Sequence, residues 1–461
     1  MAETIHPSPT ATTPTAKRVP QYRSRNPLSA TLAFQKQPLQ FLGSLAKEYG
    51  DIVQFPLLNM QIVMLNHPDY IKRVLIDNIS NYDKDVFIYK MLHTVMGEGL
   101  ITSSGEKWRK RRRLMQPAFH RQRIEKLVDL INDITRGTIE TWEEKTVRNE
   151  TIYVKEEMLK ITLKMVSMAL MNIDASDAAQ DFGRAFQTSN EVLAAFARMP
   201  FPPLSFPTPS HRRLRQAIQQ MDVISYTVMR ERRERQEDTG DLLSMMLASV
   251  DEETGEGLSD QELRDEIQTI FIAGHETSAN ALSWVWYLLS QHPDVEAKLH
   301  EEVDRVLGGR VPTMEDLSKL VYTRMVIDET MRLYPTVWQL MRRTINDDVI
   351  DGYYIPAGSI VFWSNYELHR HPAIWEDAER FDPERFAPEQ VAKRPRHYFM
   401  PFSGGQRICI GNNFALMEMQ VMLSLVAQNY RLVSLSDQPV EPKTALALVP
   451  STDLPMKLVK R

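Results

Sequence analysis

The sequence predicts a mainly α-helical protein with small β-sheets at its margins, and three observations carry this. Apolar residues recur at helical spacing over most of the chain from Gln122 onward, as in 125–144 and Val154–Met171. The β-rich runs are short and peripheral: 52–55, 61–65, 359–362, 446–449 and 454–459. No internal repeat or Gly/Ser linker divides the body of the chain, so residues 26–461 read as one domain. Ahead of it, residues 1–25 are rich in Pro and Thr, too poor in large apolar side chains to build a core, and are expected to be disordered.

Composition narrows the class. With 461 residues and 43% hydrophobic side chains, the chain can bury a large core. An ordinary charge balance, with a formal net charge of −5, argues against a dedicated nucleic-acid binder. A single cysteine excludes an internal disulfide and leaves no Cys–x–x–Cys pair for structural zinc. No apolar run reaches the roughly 18 residues of a membrane-spanning helix, nor is there an apolar segment of signal-peptide type near the start. A cytoplasmic monomer without a transmembrane anchor is the expectation.

Two segments organise the helical body. Pro200, Pro202, Pro203, Pro207 and Pro209 crowd into ten residues that cannot be helical, because each proline removes a donor and restricts its predecessor. With Phe201, Leu204 and Phe206 among them, the stretch reads equally as a surface loop or as a lid between two helices. Beyond a polar, acidic stretch at 238–257, Ser259 and Glu262 form a capping box. The helix it starts runs to Gln291, where His292-Pro293 ends it. About 30 residues at 1.5 Å each span roughly 45 Å, enough to cross a domain.

The lone cysteine sits in Phe402-Ser403-Gly404-Gly405-Gln406-Arg407-Ile408-Cys409-Ile410-Gly411, ahead of a helix expected at 413–430. A free thiol is most often an inert buried side chain. Here glycines at 404, 405 and 411 permit close backbone approach, a loop feeding a helix N-terminus supplies N–H donors to an anionic sulfur, and Arg407 lies two residues away. The spacing Phe–x–x–Gly–x–Arg–x–Cys–x–Gly resembles the haem-binding signature of the cytochrome P-450 superfamily.

The resemblance extends over about residues 25–461, with further motifs in order. Ala273-Gly274-His275-Glu276-Thr277-Ser278 on the long helix is similar to the family's oxygen-activating segment, which makes Glu276 and Thr277 the catalytic acid–alcohol pair and Gly274 the place where the helix opens. His275 alone reads as an ordinary packed or solvated side chain. Glu329 and Arg332, three apart on one helical face, together with Arg385 in Pro383-Glu384-Arg385-Phe386, look like the family's structural triad bracing the cysteine loop. Trp108 and Arg112, four apart, and Arg342, ten residues before Gly352, match propionate-binding positions. Phe402, Arg407 and Gly411 complete the cofactor contacts, and Cys409 is the metal ligand. The other cations of 107–113 (Lys107, Arg109, Lys110, Arg111, Arg113) are expected to face water.

The resemblance implies a triangular helical prism around haem b, and a monooxygenase that places one oxygen atom of O2 into a C–H or C=C bond of a lipophilic small molecule. Electrons derived from NAD(P)H would come from an external ferredoxin or flavodoxin with its reductase, docking through cations of 107–113 with Arg394 and Arg396. A peroxide-driven or isomerising haem-thiolate enzyme is the alternative, set against it by the presence of both Glu276 and Thr277. A haem sensor or electron carrier is a third reading. Ala273, Val337, Leu340 and Leu448 are expected to line the substrate pocket. Fatty-acid hydroxylases of the similar bacterial branch carry an arginine and a tyrosine where this chain has Met60 and Met64, neither of which can hold a carboxylate. Neutral lipophiles are therefore expected to bind more tightly than fatty acids, unless both methionines simply pack beneath the sheet.

Overall fold

A computed structural model describes residues 16–23, 28–58, 60–173, 177–235, 239–251 and 255–461. Helices dominate, and the helix Asp260–Gln291 runs through the body of the molecule. Its N-terminus carries the expected capping box, with Ser259 and Glu262 each bonding the other's backbone N–H. Most of its residues are buried on every side, because the helices Val154–Met171, Pro209–Arg235, Val321–Leu333 and Asn412–Asn429 all pack against it. Trp284 stacks flat on Tyr334 at 3.8 Å between ring centroids, fixing the C-terminal half of this helix.

Gly274 serves a different purpose from the one expected. The helix is unbroken through 274, and a Cβ there would stand 3.1 Å from Cγ2 of Val166. The glycine lets two helices approach closely at the level of the acid–alcohol pair.

A five-stranded sheet flanks the helical body in the order Ile52–Leu57, Met60–Leu65, Ile360–Ser364, Gln339–Thr344, Tyr82–Asp83. The strand Gln339–Thr344 was not among the runs expected from sequence, because its Met-Arg-Arg centre lacks apolar alternation. It pairs antiparallel with Ile360–Ser364, Arg342 opposite Val361. Alternation along the strand turns Arg342 inward, where it is buried, and Arg343 outward. Beside this sheet, Asp348 accepts hydrogen bonds from Arg73 (2.7 Å), Tyr82 (2.7 Å) and Asn78 (3.0 Å). These tie the strand Tyr82–Asp83 and the residue after it, Lys84, to the scaffold.

Other segments refine the reading. The helix expected at 125–144 is Val128–Val147, preceded by short turns. The polar stretch 238–257 contains the helix Leu242–Ala248, capped by Asp241. The Pro-rich segment is non-helical through Thr208, as expected, and joins the helices Asp177–Arg198 and Pro209–Arg235; Pro209, expected to lie in the break, instead opens the second helix, where its missing N–H costs nothing. Residues 1–15, 24 and 25 of the segment expected to be disordered lie outside the described residues. Within that segment, however, Lys17–Arg18 pairs in parallel with Tyr353–Tyr354, and the Tyr22 ring packs edge-on against Phe41. Aromatic packing and sheet pairing hold a stretch whose composition gives little sign of order. Met64 is buried in an apolar cluster with Phe41, Trp338 and Phe362, and Met60 lies at that cluster's partly exposed edge.

Candidate active site

The cysteine loop is built by its own backbone. The Cys409 N–H donates to the Phe402 carbonyl at 2.9 Å, closing the loop back to its first residue. Gly405 has φ +64°, and a Cβ there would lie 2.2 Å from the Leu75 carbonyl. The position thus requires glycine because the loop is pressed against the 73–77 turn. The thiol sits deep in the protein, yet the residue keeps accessible surface. Burial pushes the thiol up, opposed by the Gly411 N–H and the Arg112 charge. Arg112 approaches the same loop directly, its Nη1 donating to the Ile408 carbonyl at 3.0 Å.

Beside the loop, cations converge without anions. The Arg407 guanidinium stacks on the Trp108 ring at 3.8 Å and donates to the Ser103 carbonyl. Arg342 is buried between Tyr89 and Trp363, with Nη1 donating to the Tyr89 hydroxyl at 2.8 Å. Lys84 donates to the Ile101 carbonyl and lies over the Tyr89 ring. Among the described residues none of the three has a carboxylate partner within ion-pair distance. Burial, aggravated by Arg342, pushes Arg407 down to about 9, and Lys84 is likewise driven well below its ordinary value by burial and by Arg342 and Arg407. Arg342 is buried and Lys84 and Arg407 are half-buried; three such mutually repelling cations are costly unless an anionic ligand completes them, and the two carboxylates of a haem edge would do so. Lys84 was missed from sequence. Nothing in Tyr82-Asp83-Lys84-Asp85 marks the lysine as inward until the short strand before it is placed.

The acid–alcohol pair lies on the long helix. The Thr277 hydroxyl donates to the Ala273 carbonyl at 2.6 Å. The Glu276 carboxylate accepts from Nδ2 of Asn190, at 2.9 Å, on the helix Asp177–Arg198. Burial pushes Glu276 up, against the pull of that hydrogen bond and of Lys155. His275 is packed, its Nε2 against the Leu159 carbonyl, and burial pushes it down to about 4. On the helix that follows the cysteine, Glu418 lies buried beside Ser278, the residue after Thr277. Burial pushes its carboxyl up to about 8, against the hydrogen bond with Ser278. Asn190 and Glu418 carry no sequence signal beyond being polar residues at inward helical positions.

Arg332 is fully buried. It bonds Glu329 through both Nε (2.7 Å) and Nη2 (2.8 Å), and reaches the carbonyls of His369, Ala378 and Arg380. Arg385 Nε stands 3.4 Å from Glu329 Oε1, so the three residues expected to act together do meet.

On the cationic helix Gly105–Met115, Arg111 departs from the expectation that its cations face water. Arg111 is buried against Glu266 at 3.1 Å, with Glu262 and Asp265 within 4.0 Å. The side chain facing the long helix finds three carboxylates there. Lys107, Arg109 and Arg113 are exposed, as expected, and Lys110 is half-buried; they are ion-paired with Glu98, Glu106, Asp251 and Glu256 respectively. Arg394 stacks over Trp375 at 4.4 Å and is half-buried rather than free. Of the expected pocket residues, Ala273, Val337 and Leu340 keep accessible surface. Leu448 does not: it is wholly buried in the cluster with Trp338 and Phe362, and Leu446 at the neighbouring turn is the partly accessible one.

The structure thus sets a cysteine that keeps accessible surface, on a glycine-tight loop, near the converging cations Lys84, Arg342 and Arg407. Comparison with known proteins shows the family. The sequence profile of the family Cytochrome P-450 matches residues 21–458. Cyclooctat-9-en-7-ol 5-monooxygenase from Streptomyces melanosporofaciens is 36% identical over 409 residues, covering 88% of this chain and 87% of that protein. Pentalenene oxygenase from Streptomyces avermitilis is 34% identical, covering 90% and 91%. Leukotriene-B4 omega-hydroxylase 3 from Mus musculus is 31% identical, covering 91% and 85%. A crystallographic cytochrome P-450 haem domain superposes with a TM-score of 0.89 at 27% identity, covering 97% of this chain and 99% of that one. The chain belongs to the cytochrome P-450 family. It is a haem-thiolate monooxygenase, using haem iron and O2 on lipophilic molecules, and family members draw electrons from a redox partner. No described helix is long and apolar enough to cross a membrane.

Proposed function

We propose that this enzyme hydroxylates or epoxidises a neutral, terpenoid-like lipophile, with haem b bound through Cys409 and with NAD(P)H-derived electrons delivered by a ferredoxin or flavodoxin. The cluster of Lys84, Arg342 and Arg407 beside the Cys409 thiol carries this reading. Arg342, Arg407 and Lys84 would hold the propionates, with Trp108 as the platform under Arg407. Arg112 would brace the cysteine loop through Ile408 and favour the thiolate by its charge. Phe402 and Gly411 would shape the loop, and Glu329, Arg332 and Arg385 would support it from behind. When bound, the haem supplies the oxidising chemistry, with thiolate ligation favouring O–O cleavage.

The chain's own contribution is to orient substrate and to place protons. The Thr277 hydroxyl, which donates to the Ala273 carbonyl here, would have to turn its proton out from the helix to deliver it, and Glu276, raised by burial, can replenish it. In this structure Glu276 is turned to Asn190, so proton delivery requires that hydrogen bond to be exchanged. Ala273, Val337, Leu340 and Leu446 offer an apolar surface to substrate. The substrate class rests on the two Streptomyces relatives whose names specify cyclooctat-9-en-7-ol and pentalenene; Met64 packs beneath the sheet, so the two methionines add nothing to it.

The haem-loaded protein should give the reduced carbon monoxide spectrum of a thiolate complex, and Cys409→Ala should abolish it. A surviving spectrum would remove Cys409 from the iron. Optical titration with neutral terpenoids and with a long-chain fatty acid at one pH tests the substrate class, and markedly tighter fatty-acid binding overturns it.

A further inference from the structure

Proton delivery by Glu276 needs a second partner for its carboxylate, because the hydrogen bond to Asn190 has to be exchanged. The helix Val154–Met171 offers one. The Leu159 carbonyl of that helix stands 3.1 Å from His275 Nε2, so it packs on the long helix directly beside Glu276. Lys155 lies one turn before Leu159 on the same face. Among the described residues, the groups acting on the Glu276 carboxylate are the Asn190 amide from one flanking helix and the Lys155 ammonium from the other. Burial pushes Glu276 up, and both of these pull against it.

Lys155 does nothing for its own helix. It is the second residue there, where a cation opposes the helix dipole. Glu156 and Glu157, the anions that suit this end, are engaged by Lys160 and Lys145. The partner of Lys155 comes from elsewhere: Asp453 Oδ1 stands 3.5 Å from the ammonium, on the turn that follows the strand Leu448–Pro450. Backbone fixes this turn, since the Lys155 N–H donates to the Asp453 carbonyl at 3.3 Å and the Val154 N–H to the Leu454 carbonyl at 3.1 Å. The Lys155 side chain is 26% exposed and that of Asp453 70%. An ion pair this long and this open to water is weak, so Asp453 holds the lysine only loosely.

The two partners of Glu276 differ in kind. An amide donates hydrogen bonds but takes part in no proton exchange near pH 7, so Asn190 orients the carboxylate without refilling it. Lys155 brings charge and an edge in contact with solvent. We propose that Lys155 is the positioning residue of the proton route, drawing the Glu276 carboxylate from Asn190 to the solvent edge at Asp453, where water returns the proton that Glu276 has passed to Thr277. The ammonium keeps its own charge throughout. The inference rests on Glu276 as the source of that proton.

The test reads Glu276 directly in haem-loaded protein. Its carboxyl stretch, isolated across pH as the infrared difference between each protein and the same protein carrying Glu276→Gln, gives the titration point of the group without turnover. Lys155→Met keeps the stem and removes the charge. It should raise that point by about half a pH unit or more, a fall of roughly threefold in the ionisation constant. The acid limb of product formed per electron consumed should move the same way, and Lys155→Arg should restore both. Asp453→Asn, which leaves Glu276 as the sole carboxylate for Lys155, should move both in the opposite direction, and its exposed site keeps the test open if Lys155→Met loses haem. An unchanged titration point in Lys155→Met or Asp453→Asn, or equal shifts in the methionine and arginine variants, overturns the proposal. Coupling unchanged in Glu276→Gln alone would instead remove Glu276 from proton delivery, and the role of Lys155 would fall with it.

Discussion

Replacing Arg111 by Met separates the two readings of the cationic helix. As one of five solvated charges, Arg111 would be worth at most ~1 kcal/mol. In the structure its guanidinium is buried, 3.1 Å from Glu266 and within 4.0 Å of Glu262 and Asp265. Glu266 has no exposure and also accepts the Leu100 N–H, while Asp265 accepts the Glu98 N–H. Methionine preserves much of the stem packing but leaves a buried carboxylate without its cation, an expected loss of about 3–5 kcal/mol. The loss should depend on pH. Burial pushes Glu266 up to about 7 even with Arg111 pulling it down, and without that cation it rises further. A folded-state value above the unfolded one favours the protonated protein, so the variant should be least impaired at pH 6 and progressively worse toward pH 8, by up to ~1.4 kcal/mol per unit. Adding Glu266→Gln should recover most of the stability, because the amide oxygen can still accept from Leu100. Urea unfolding of the haem-loaded protein at pH 6, 7 and 8, followed by far-ultraviolet circular dichroism, measures all of this. A pH-independent loss below ~1 kcal/mol would refute burial of the pair.

Gly405→Ala should lower haem content and the thermal midpoint together, since φ +64° and a 2.2 Å approach to the Leu75 carbonyl leave no room for a methyl group. At Asp348 burial acts to raise the carboxyl, but hydrogen bonds from Arg73, Tyr82 and Asn78 overcome it and hold the group at about 2. Its stabilisation is complete above the ordinary carboxylate value and disappears as pH falls from about 4 to 2. Asp348→Asn should cost about 2 kcal/mol at pH 7 and flatten that acid limb in denaturation experiments. Asn190→Leu removes the donor that favours ionised Glu276. The acid limb of product formed per electron consumed should move to higher pH, whereas unchanged coupling and profile would leave Asn190 a packing residue only.

Much of this protein is legible in one dimension because its decisive signals are local. The capping box at Ser259 and Glu262, the proline-broken segment and the helix Val154–Met171 depend on residues within a few positions of one another, and the structure carries each as the sequence indicates. The cysteine signature is local too, and so is the placing of Glu329 and Arg332 on one face. Burial is not local. Arg111 and its neighbours Lys110 and Arg112 are alike in sequence. Only the packing of the helix Gly105–Met115 against the long helix puts Arg111 among carboxylates and Arg112 on the cysteine loop. Lys84 and Arg342 are 258 residues apart and become one cation site only when the sheet pairs Tyr82–Asp83 with Gln339–Thr344. Leu448 shows the converse, an apolar residue taken for pocket lining that the sheet buries completely. The sequence by itself determined the helical class, the single cysteine in its family signature and the placing of Glu276 and Thr277 on the long helix, because side-chain chemistry and helical periodicity are properties of neighbours along the chain. Tertiary structure alone decided which charges are desolvated and which partners they face, because desolvation and Coulomb energies depend on distances between residues that the chain order does not contain.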